Sequence, residues 1–202
     1  MTRRSRILWT DHVEPDNWTN GTLAAEHLLK LGHRQFAVLN AQPNYPAFRI
    51  RCDAFEAAVR HEQGQIIRLW EVANDAEPLL HQDASSQSRI SQIITAQVQH
   101  LLEQQPRPKA LYVPNCYTAA IIFPLLERHG MRVGLDIDVV LGDFDSNLAT
   151  LFSPPIAQID VQIPLIARKA IERLAWRIKN PFDNSPIGVA ITPRLMIGNT
   201  PA

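Results

Sequence analysis

The chain has 202 residues, which is enough for one large domain or two small ones, and 46% of them are hydrophobic. Lysine plus arginine equals aspartate plus glutamate at 20 each, so the sequence lacks the basic balance that nucleic acid binding requires. It also lacks an apolar run long enough to span a bilayer, and its two cysteines are too few for a disulfide framework or a cysteine-based metal site.

Short apolar runs and helical periods alternate along the chain. The short runs predict strands over residues 6–13, 35–40, 66–70, 109–113, 137–142, 154–160 and 189–197. Apolar residues at helical spacing predict helices over residues 19–31, 48–59, 85–104, 117–129 and 164–178. Gly32 follows the first helix, where a residue that tolerates a positive φ is needed, so we expect it to end that helix.

The alternation of strands and helices predicts an α/β fold of doubly wound parallel sheets, with helices on both faces. Pro124 conflicts with the interior of the fourth helix, so we expect a kink or a late start there. Residues 74–88 and 180–188 are polar and contain proline, which is typical of loops. The sequence has no glycine-rich phosphate loop, and no cofactor is expected.

Polar and aromatic residues follow the predicted strands, where doubly wound folds bind their ligands. Carboxylates and amides exchange hydrogen bonds with hydroxyl groups, a guanidinium spans two hydroxyls, and aromatic rings cover an apolar sugar face. This pattern favours a neutral sugar or polyol as the ligand. The candidate ligand-binding residues are Asp16, either Arg49 or Arg51, Asn115, either Asp143 or Asp145, and the two rings of Trp70 and Tyr117. Asp16 is equally typical of a helix cap, and Trp70 equally fits a core position.

The order of segments resembles the LacI/GalR family of transcriptional regulators. The stretch "PDNWTNGTLAAEHLLKLGHRQFAVLN" resembles the family's Asp-Asn pair, its helix ending in Leu-Gly-His-Arg and the strand that follows. Later, "LDIDVVLGDFDSNLATLFSPPIAQID" resembles the family's strand with a carboxylate turn and its Pro-Pro crossing. Three shorter segments, "FRIRCDAF", "ALYVPNCYTAA" and "TPRLMIGNT", follow in the family's order. The resemblance runs from about Val13 to Thr200.

The sequence departs from the family pattern at four places. Ala54 stands where the family has glycine, Cys116 where it has aspartate, and Ile121 where it has a small residue. The order Gly-Asp-Phe-Asp leaves open whether Asp143 or Asp145 is the ligand-facing carboxylate. Of the two arginines, Arg51 matches the ligand-facing position of the family.

The resemblance implies a periplasmic-binding-protein-like architecture of two lobes, with the first lobe incomplete. Residues 1–32 and 160–182 are then the remnant of the first lobe, and residues 33–157 and 186–199 form the second. His33 and Arg34 would mark a crossing between lobes, and His33 would make a structural hydrogen bond rather than act as a catalytic base. The helix-turn-helix that precedes this region in the family is absent from the sequence.

The function that this resemblance implies is effector sensing rather than catalysis. A sugar-like effector would bind between the lobes, a homodimer would be the working state, and DNA would be contacted only through the missing helix-turn-helix. The apolar patch at residues 7–9 is shorter than a secretory signal needs, so we expect a cytoplasmic protein with no membrane contact.

Two other functions are compatible with parts of the sequence. A periplasmic sugar-binding protein of a transporter shares the architecture, but it requires a signal peptide. The Asp-x-Asp turn at 143–145 has a superficial likeness to the nucleophile loop of a phosphatase, in which one carboxylate attacks phosphorus and the other is the acid–base. That loop normally follows the first strand of its domain, whereas here it follows a late one.

Overall fold

The computed structural model describes residues 10–70, 84–152, 154–183, 185–198 and 200–201. The first half of the predicted strand at 6–13 and most of the predicted loop at 74–88 lie outside the described residues. No helix in this part of the chain is both long and apolar enough to cross a membrane. The same ranges contain no group of three or more His, Cys, Asp or Glu side chains that could hold a metal ion.

The strands form two separate sheets. They are β1 (His12–Pro15), β2 (Gln35–Val38), β3 (Gln65–Arg68), β4 (Ala110–Val113), β5 (Asp138–Leu141), β6 (Ala157–Asp160), β7 (Gly188–Ile191), β8 (Arg194–Ile197) and β9 (Thr200–Pro201). A seven-stranded sheet has the order β3-β2-β4-β5-β6-β8-β9, and β1 pairs with β7 in a two-stranded parallel sheet. The first five strands of the large sheet run parallel, which confirms the predicted α/β fold class.

The end of the chain differs from the prediction in two respects. The single strand predicted at 189–197 is two strands, because the chain changes sheets at Thr192–Pro193 and proline cannot donate a ladder hydrogen bond. β8 and β9 then run antiparallel to their neighbours, so the large sheet is mixed rather than wholly parallel.

Six helices cover the sheets in the described part of the chain. They are α1 (Asn17–Lys30), α2 (Pro46–His61), α3 (Ala84–Glu103), α4 (Ala119–Arg128), α5 (Ser146–Ala149) and α6 (Ile163–Lys179). Gly32 has φ of +92° and its N–H donates to the Leu29 carbonyl, which confirms its predicted role at the end of α1. A 3-10 turn over Cys116–Thr118 precedes α4, so the α-helix starts two residues later than predicted, with Pro124 inside it.

The core of the large sheet is divided between its two faces, because successive strand residues point to opposite sides. On β2, Phe36 and Val38 face α1 and α2, while Ala37 and the following residue Leu39 face α3 and α4. The helices complete these layers with small and branched side chains at helical spacing. At the start of β5, the Asp138 carboxylate lies 2.7 Å from Nε2 of His33, which agrees with the structural hydrogen bond predicted for His33.

The position of α1 differs from the sequence prediction. The resemblance predicts that residues 1–32 belong to the first lobe and that the chain crosses between the lobes at His33–Arg34. Here α1 packs on the large sheet beside α2, with Ala24, Ala25 and Leu28 in its core. The chain therefore passes between the sheets at Asp16, directly after β1. It passes again between β6 and α6, and a third time between β7 and β8. The full residue ranges of the two lobes stay a prediction.

Candidate functional site

The candidate site lies at the carboxyl edge of the large sheet, beside the point where β1 leads into α1. The segments after β2, β4 and β5 meet at this edge because the three strands are parallel neighbours. Helices α2, α4 and α5 start there, so several helix N-termini face the same space.

Arg51 on α2 holds this edge together. Its Nε donates to Asn17 Oδ1 at 2.8 Å, and its Nη1 contacts the carbonyls of Pro114 at 2.9 Å and Gly142 at 3.1 Å. Nη1 also contacts Asp143 Oδ1 at 2.5 Å. The residue is only 4% exposed, and none of these four contacts uses Nη2. Arg51 therefore links α1, α2 and the ends of β4 and β5.

A second set of buried hydrogen bonds stabilises the same edge of the sheet. Asn20 donates from Nδ2 to the Gly142 carbonyl at 2.8 Å and accepts from the Tyr112 hydroxyl at 2.9 Å. A Cβ at position 142 would lie 2.7 Å from the Pro114 carbonyl oxygen and 2.8 Å from the Tyr112 oxygen, so only glycine fits. These bonds satisfy polar groups that burial would otherwise leave unpaired.

Burial shifts the pKa of two groups in the site, the Asp143 carboxyl and the Cys116 thiol. Burial raises the pKa of the Asp143 carboxyl, and the Arg51 guanidinium beside it acts in the opposite direction. Burial, together with the carboxylates of Asp143 and Asp145, raises the pKa of the Cys116 thiol to about 12. Cys116 is thus a neutral thiol at physiological pH and lacks the thiolate character of a nucleophile.

Asp145, Tyr117 and Asn115 form the exposed part of the site. Asp145 caps α5 by accepting from the N–H groups of Asn147 and Leu148, and the Tyr117 hydroxyl donates to its other oxygen at 3.0 Å. These bonds lower the pKa of Asp145, with the Leu148 N–H as the largest cause, and they raise the pKa of Tyr117. Asn115 accepts from the Tyr117 N–H at 2.8 Å and so starts the 3-10 turn.

Two of the sequence candidates have other structural partners. Asp16 caps α1 through the N–H groups of Trp18 and Thr19, and it also accepts from the Thr19 hydroxyl at 2.7 Å. Trp70 is half-buried in the core layer beneath α1 and α2, with the Arg68 guanidinium 5.5 Å from its ring centroid. Arg51, Asp143, Asp145, Asn115 and Tyr117 are thus brought to one edge, Asp16 adjoins it through Asn17, and Trp70 packs separately.

The structure adds three residues that sequence reasoning missed. Asn17 accepts a hydrogen bond from Arg51, and Asn20 donates to the Gly142 carbonyl that Arg51 also contacts. In the sequence, both asparagines are typical of the start of a helix. The Arg51 guanidinium lies 5.6 Å from the centroid of the Phe48 ring. The one sequence signal for this contact is that Phe48 precedes Arg51 by one helical turn on α2.

The arrangement suits binding better than catalysis. One oxygen of Asp143 is committed to Arg51, and Asp145 is committed to a helix cap and to Tyr117. A phosphatase of this type needs a free nucleophilic carboxylate and a second carboxylate two residues later as the acid–base. The hydrogen bonds of Asp143 and Asp145 to their neighbours disagree with that interpretation. The edge offers carboxylate, amide and hydroxyl groups around one guanidinium, which together form hydrogen bonds to a polyhydroxylated ligand.

Comparison with known proteins identifies the family of this chain. The family model for a periplasmic binding protein-like domain matches residues 25–200. The chain belongs to the periplasmic binding protein-like domain family. Among curated relatives, the HTH-type transcriptional repressor PurR of Haemophilus influenzae is 26% identical over 190 residues, covering 93% of this chain and 52% of the repressor. The ribose operon repressor of Escherichia coli K12 is 26% identical over 187 residues, with the same two coverages.

Solved structures share the fold of this periplasmic binding protein-like domain. A LacI-family regulator from Enterococcus faecium with bound ribose superposes with a TM-score of 0.74 at 21% identity, covering 100% of this chain and 69% of the regulator. The cellobiose complex of the regulator CelR gives 0.73 at 20% identity, covering 96% of this chain and 54% of CelR. The resemblance to LacI-family effector-binding domains is confirmed, and the chain spans about half the length of the curated relatives it matches.

Proposed function

We propose that this domain senses a small sugar-like effector for a LacI-type transcriptional regulator. The observation that carries the proposal is the Arg51 cluster. It joins the side chains of Arg51, Asn17 and Asp143 to the backbone carbonyls of Pro114 and Gly142, at the edge where the chain passes between the two sheets. In this proposal Arg51, Asn115, Asp143 and Asp145 contact the effector, and Asp16 lies beside it.

Hydrogen bonds also connect the Arg51 cluster to the three places where the chain passes between the sheets. Arg51 bonds directly to Asn17, and Asn17 follows Asp16 at the point where the chain leaves β1. The Asp16 N–H bonds to the Ile191 carbonyl, and Gln162 Nε2 bonds to the Thr192 carbonyl at 2.6 Å, so all three passages between the sheets are connected. An effector that draws the lobes together acts through its different affinity for the open and closed states.

The partners follow from the LacI-type proposal. The regulator would act as a cytoplasmic homodimer without enzymatic activity, and it would contact DNA through a helix-turn-helix outside this sequence. Lobe closure in each subunit would change the spacing of the two DNA-binding parts.

Isothermal titration calorimetry with D-ribose and cellobiose tests the proposal. Asp143→Asn removes the carboxylate charge beside Arg51 and should weaken the binding of whichever sugar binds by about tenfold, since a charged hydrogen bond contributes about 1.5 kcal/mol or more. Glu103→Gln makes the same chemical change at an exposed position on α3 and should bind like the parent. Equal affinity of parent and Asp143→Asn would contradict the assignment of this edge as the sugar site.

A further inference from the structure

The chain passes between the two sheets through three very short segments. They are Asp16, between β1 and α1, residues 161–162, between β6 and α6, and residues 192–193, between β7 and β8. A change in the angle between the sheets must be absorbed by the backbone of such residues at the ends of helices and strands, which are the usual hinge positions.

Gln162 has the unusual backbone conformation among these segments. Its φ of 59° and ψ of 49° lie in the left-handed region, which is sterically unfavourable for a residue with a side chain. In the described part of the chain, the other non-glycine residue with a positive φ is Gln63, which follows α2, where this conformation is common. Gln162 is instead the N-cap residue of α6, whereas the N-cap residues of α1, α2 and α5 are extended.

Hydrogen bonds on both sides hold Gln162 in this conformation. Its N–H donates to Asp160 Oδ1 at 2.7 Å, and its carbonyl accepts from the N–H groups of Leu165 at 2.9 Å and Ile166 at 3.0 Å. Its side-chain Nε2 donates to the Thr192 carbonyl at 2.6 Å, in the segment between β7 and β8. A left-handed non-glycine residue persists where surrounding contacts determine its conformation, and such residues cluster at switch regions.

The start of α6 leaves the Gln162 side chain available for the bond to Thr192. An N-cap side chain ordinarily accepts a hydrogen bond from the second or third helical residue. In α6 the second residue is Pro164, which has no N–H, and the third is Leu165, which donates to the Gln162 carbonyl. The amide of Gln162 therefore connects two segments without leaving the start of the helix uncapped.

The other two segments have less backbone freedom than Gln162. Pro193 fixes its own φ, and a residue that precedes proline, here Thr192, is restricted to extended conformations. Asp16 caps α1 through its carboxylate, and its N–H donates to the Ile191 carbonyl at 2.9 Å. A return of φ at Gln162 to negative values would remove a steric cost, so the hinge changes most easily at this residue once its bond to Thr192 is broken.

We propose that Gln162 is the hinge residue that controls the angle between the two sheets. Its side-chain bond to Thr192 holds two of the three segments together, whereas its left-handed backbone favours release. The two contributions oppose each other, so loss of the side-chain bond shifts the population toward other angles. This inference goes beyond the proposed function, because it concerns the chain without an effector.

Double electron–electron resonance in the absence of any sugar tests the inference. Spin labels are attached through Ala96→Cys on α3 and Ala175→Cys on α6, two exposed alanines on opposite sides of the hinge. Cys52 and Cys116 are buried, so the label reacts at the two introduced positions. Mixing with an excess of unlabelled chain restricts the measured distances to a single chain. With Gln162 present, the distance distribution should be narrow and have one maximum.

Two variants of Gln162 separate the side-chain bond from the backbone conformation. Gln162→Asn keeps an amide and a residue type that tolerates a positive φ, but its side chain is too short to reach the Thr192 carbonyl. Its distance distribution should be broader or gain a second maximum. Gln162→Gly also removes the steric cost at this position and should broaden the distribution at least as much.

Gln63→Ala is the matched control, because it changes the same residue type at a φ of 60° outside the three segments. Its distance distribution should equal that of the parent. Equal broadening in Gln63→Ala and Gln162→Asn would overturn the inference, as would parent-like distributions for both Gln162 variants. Circular dichroism checks folding, and loss of the fold in both Gln162 variants would also overturn it, because a hinge residue outside the core does not decide folding.

The outcome is independent of the test of the proposed function. Since the distances are measured without sugar, a negative result for Gln162 leaves the proposed sensing of an effector intact. Failure of sugars to bind in calorimetry would likewise leave the hinge inference standing.

Discussion

Arg51 is the residue on which the candidate site depends most. From the sequence it belongs to an exposed edge, where a charged side chain would contribute little to stability. The structure instead buries it and surrounds it with two backbone carbonyls, an amide and a carboxylate. Removing one member of a buried charged pair leaves the other charge without compensation, and this is costly.

We therefore expect Arg51→Ala to lower the free energy of unfolding by about 3 kcal/mol or more, because it leaves Asp143 buried without its partner. Urea unfolding of the parent and variant measures this difference. Arg49→Ala removes an exposed arginine two residues earlier on the same helix and should change stability by less than about 0.5 kcal/mol. Equal losses in the two variants would show that Arg51 does not hold the edge.

At the scale of elements, the contact between α1 and α2 depends on one glycine. A Cβ at position 21 would lie 2.0 Å from the Arg51 carbonyl oxygen, 2.8 Å from the Phe55 nitrogen and 2.9 Å from the Ala54 Cβ. Two of these atoms are backbone, so the helices would have to separate. Ala54, where the family has glycine, is itself one of the three neighbours. This contact brings α1 to the large sheet.

Gly21→Ala should consequently destabilise the protein, although alanine favours helix formation by about 1 kcal/mol over glycine. Overpacking costs about 1–3 kcal/mol, and we expect it to exceed the helix preference because the clashing atoms are backbone. Thermal unfolding monitored by circular dichroism measures the net effect. Thr22→Ala, at the partly exposed neighbouring position, serves as the control and should stay near the parent. A higher melting temperature for Gly21→Ala would refute the close contact.

A carboxylate joins α6 to the two-stranded sheet. Asp11 accepts from Nε of Arg173 and Nε of Arg177, both at 2.7 Å, and from the Ile187 N–H at 2.8 Å. The hydrogen bonds from Arg177 and then Arg173 hold the pKa of Asp11 well below its ordinary value of 3.8. A lowered carboxyl pKa means that the ionised form stabilises the fold above the ordinary pKa, and that this contribution is lost as the pH falls through the lowered value.

Asp11→Asn should accordingly be less stable than the parent at pH 7, and the difference should narrow as the pH falls below about 4. Urea midpoints at several pH values from 7 down to about 2 measure it. Glu172→Gln removes an exposed carboxylate from the same helix, where it pairs with Lys169, and a surface pair of this kind contributes little. A difference between Asp11→Asn and parent that stays constant with pH would contradict the role of the ionised carboxylate.

At the scale of the whole molecule, the sequence predicts the elements better than their distribution between sheets. Hydrophobic periodicity and Gly32 locate most helices and strands, because both report local geometry. The separation of β7 from β8, and the packing of α1 on the large sheet, depend on contacts between distant residues. Local patterns do not contain such contacts, so the predicted single strand at 189–197 was wrong. The division of the chain into two lobes stays a prediction.

The candidate site was likewise predicted only in part from the sequence. The rule that ligands bind beyond parallel strands, together with the family resemblance, predicts the edge that carries Arg51, Asp143 and Asp145. The partners of those side chains come from three-dimensional contacts such as Arg51 with Asn17, thirty-four positions apart. Trp70 illustrates the limit, since an aromatic residue after a strand fits a ligand edge and a core layer equally well in sequence.

The exposed face of α6 supports the predicted self-association. Ile171 is 68% exposed and Ile178 is 73% exposed, with Leu174 between them on the same side of the helix. An apolar stripe of this kind is unfavourable in water, and a second copy presents the same stripe for a symmetric contact.

We expect the chain to sediment as a dimer at micromolar concentration, and the double variant Ile171→Glu, Ile178→Glu to sediment as a monomer, because two buried carboxylates would oppose the contact. Leu135→Glu, at an exposed loop position of similar exposure, should leave the dimer intact. Analytical ultracentrifugation over a concentration series distinguishes these states. A monomeric parent would contradict the self-association, and a dimeric double variant would move the interface away from α6.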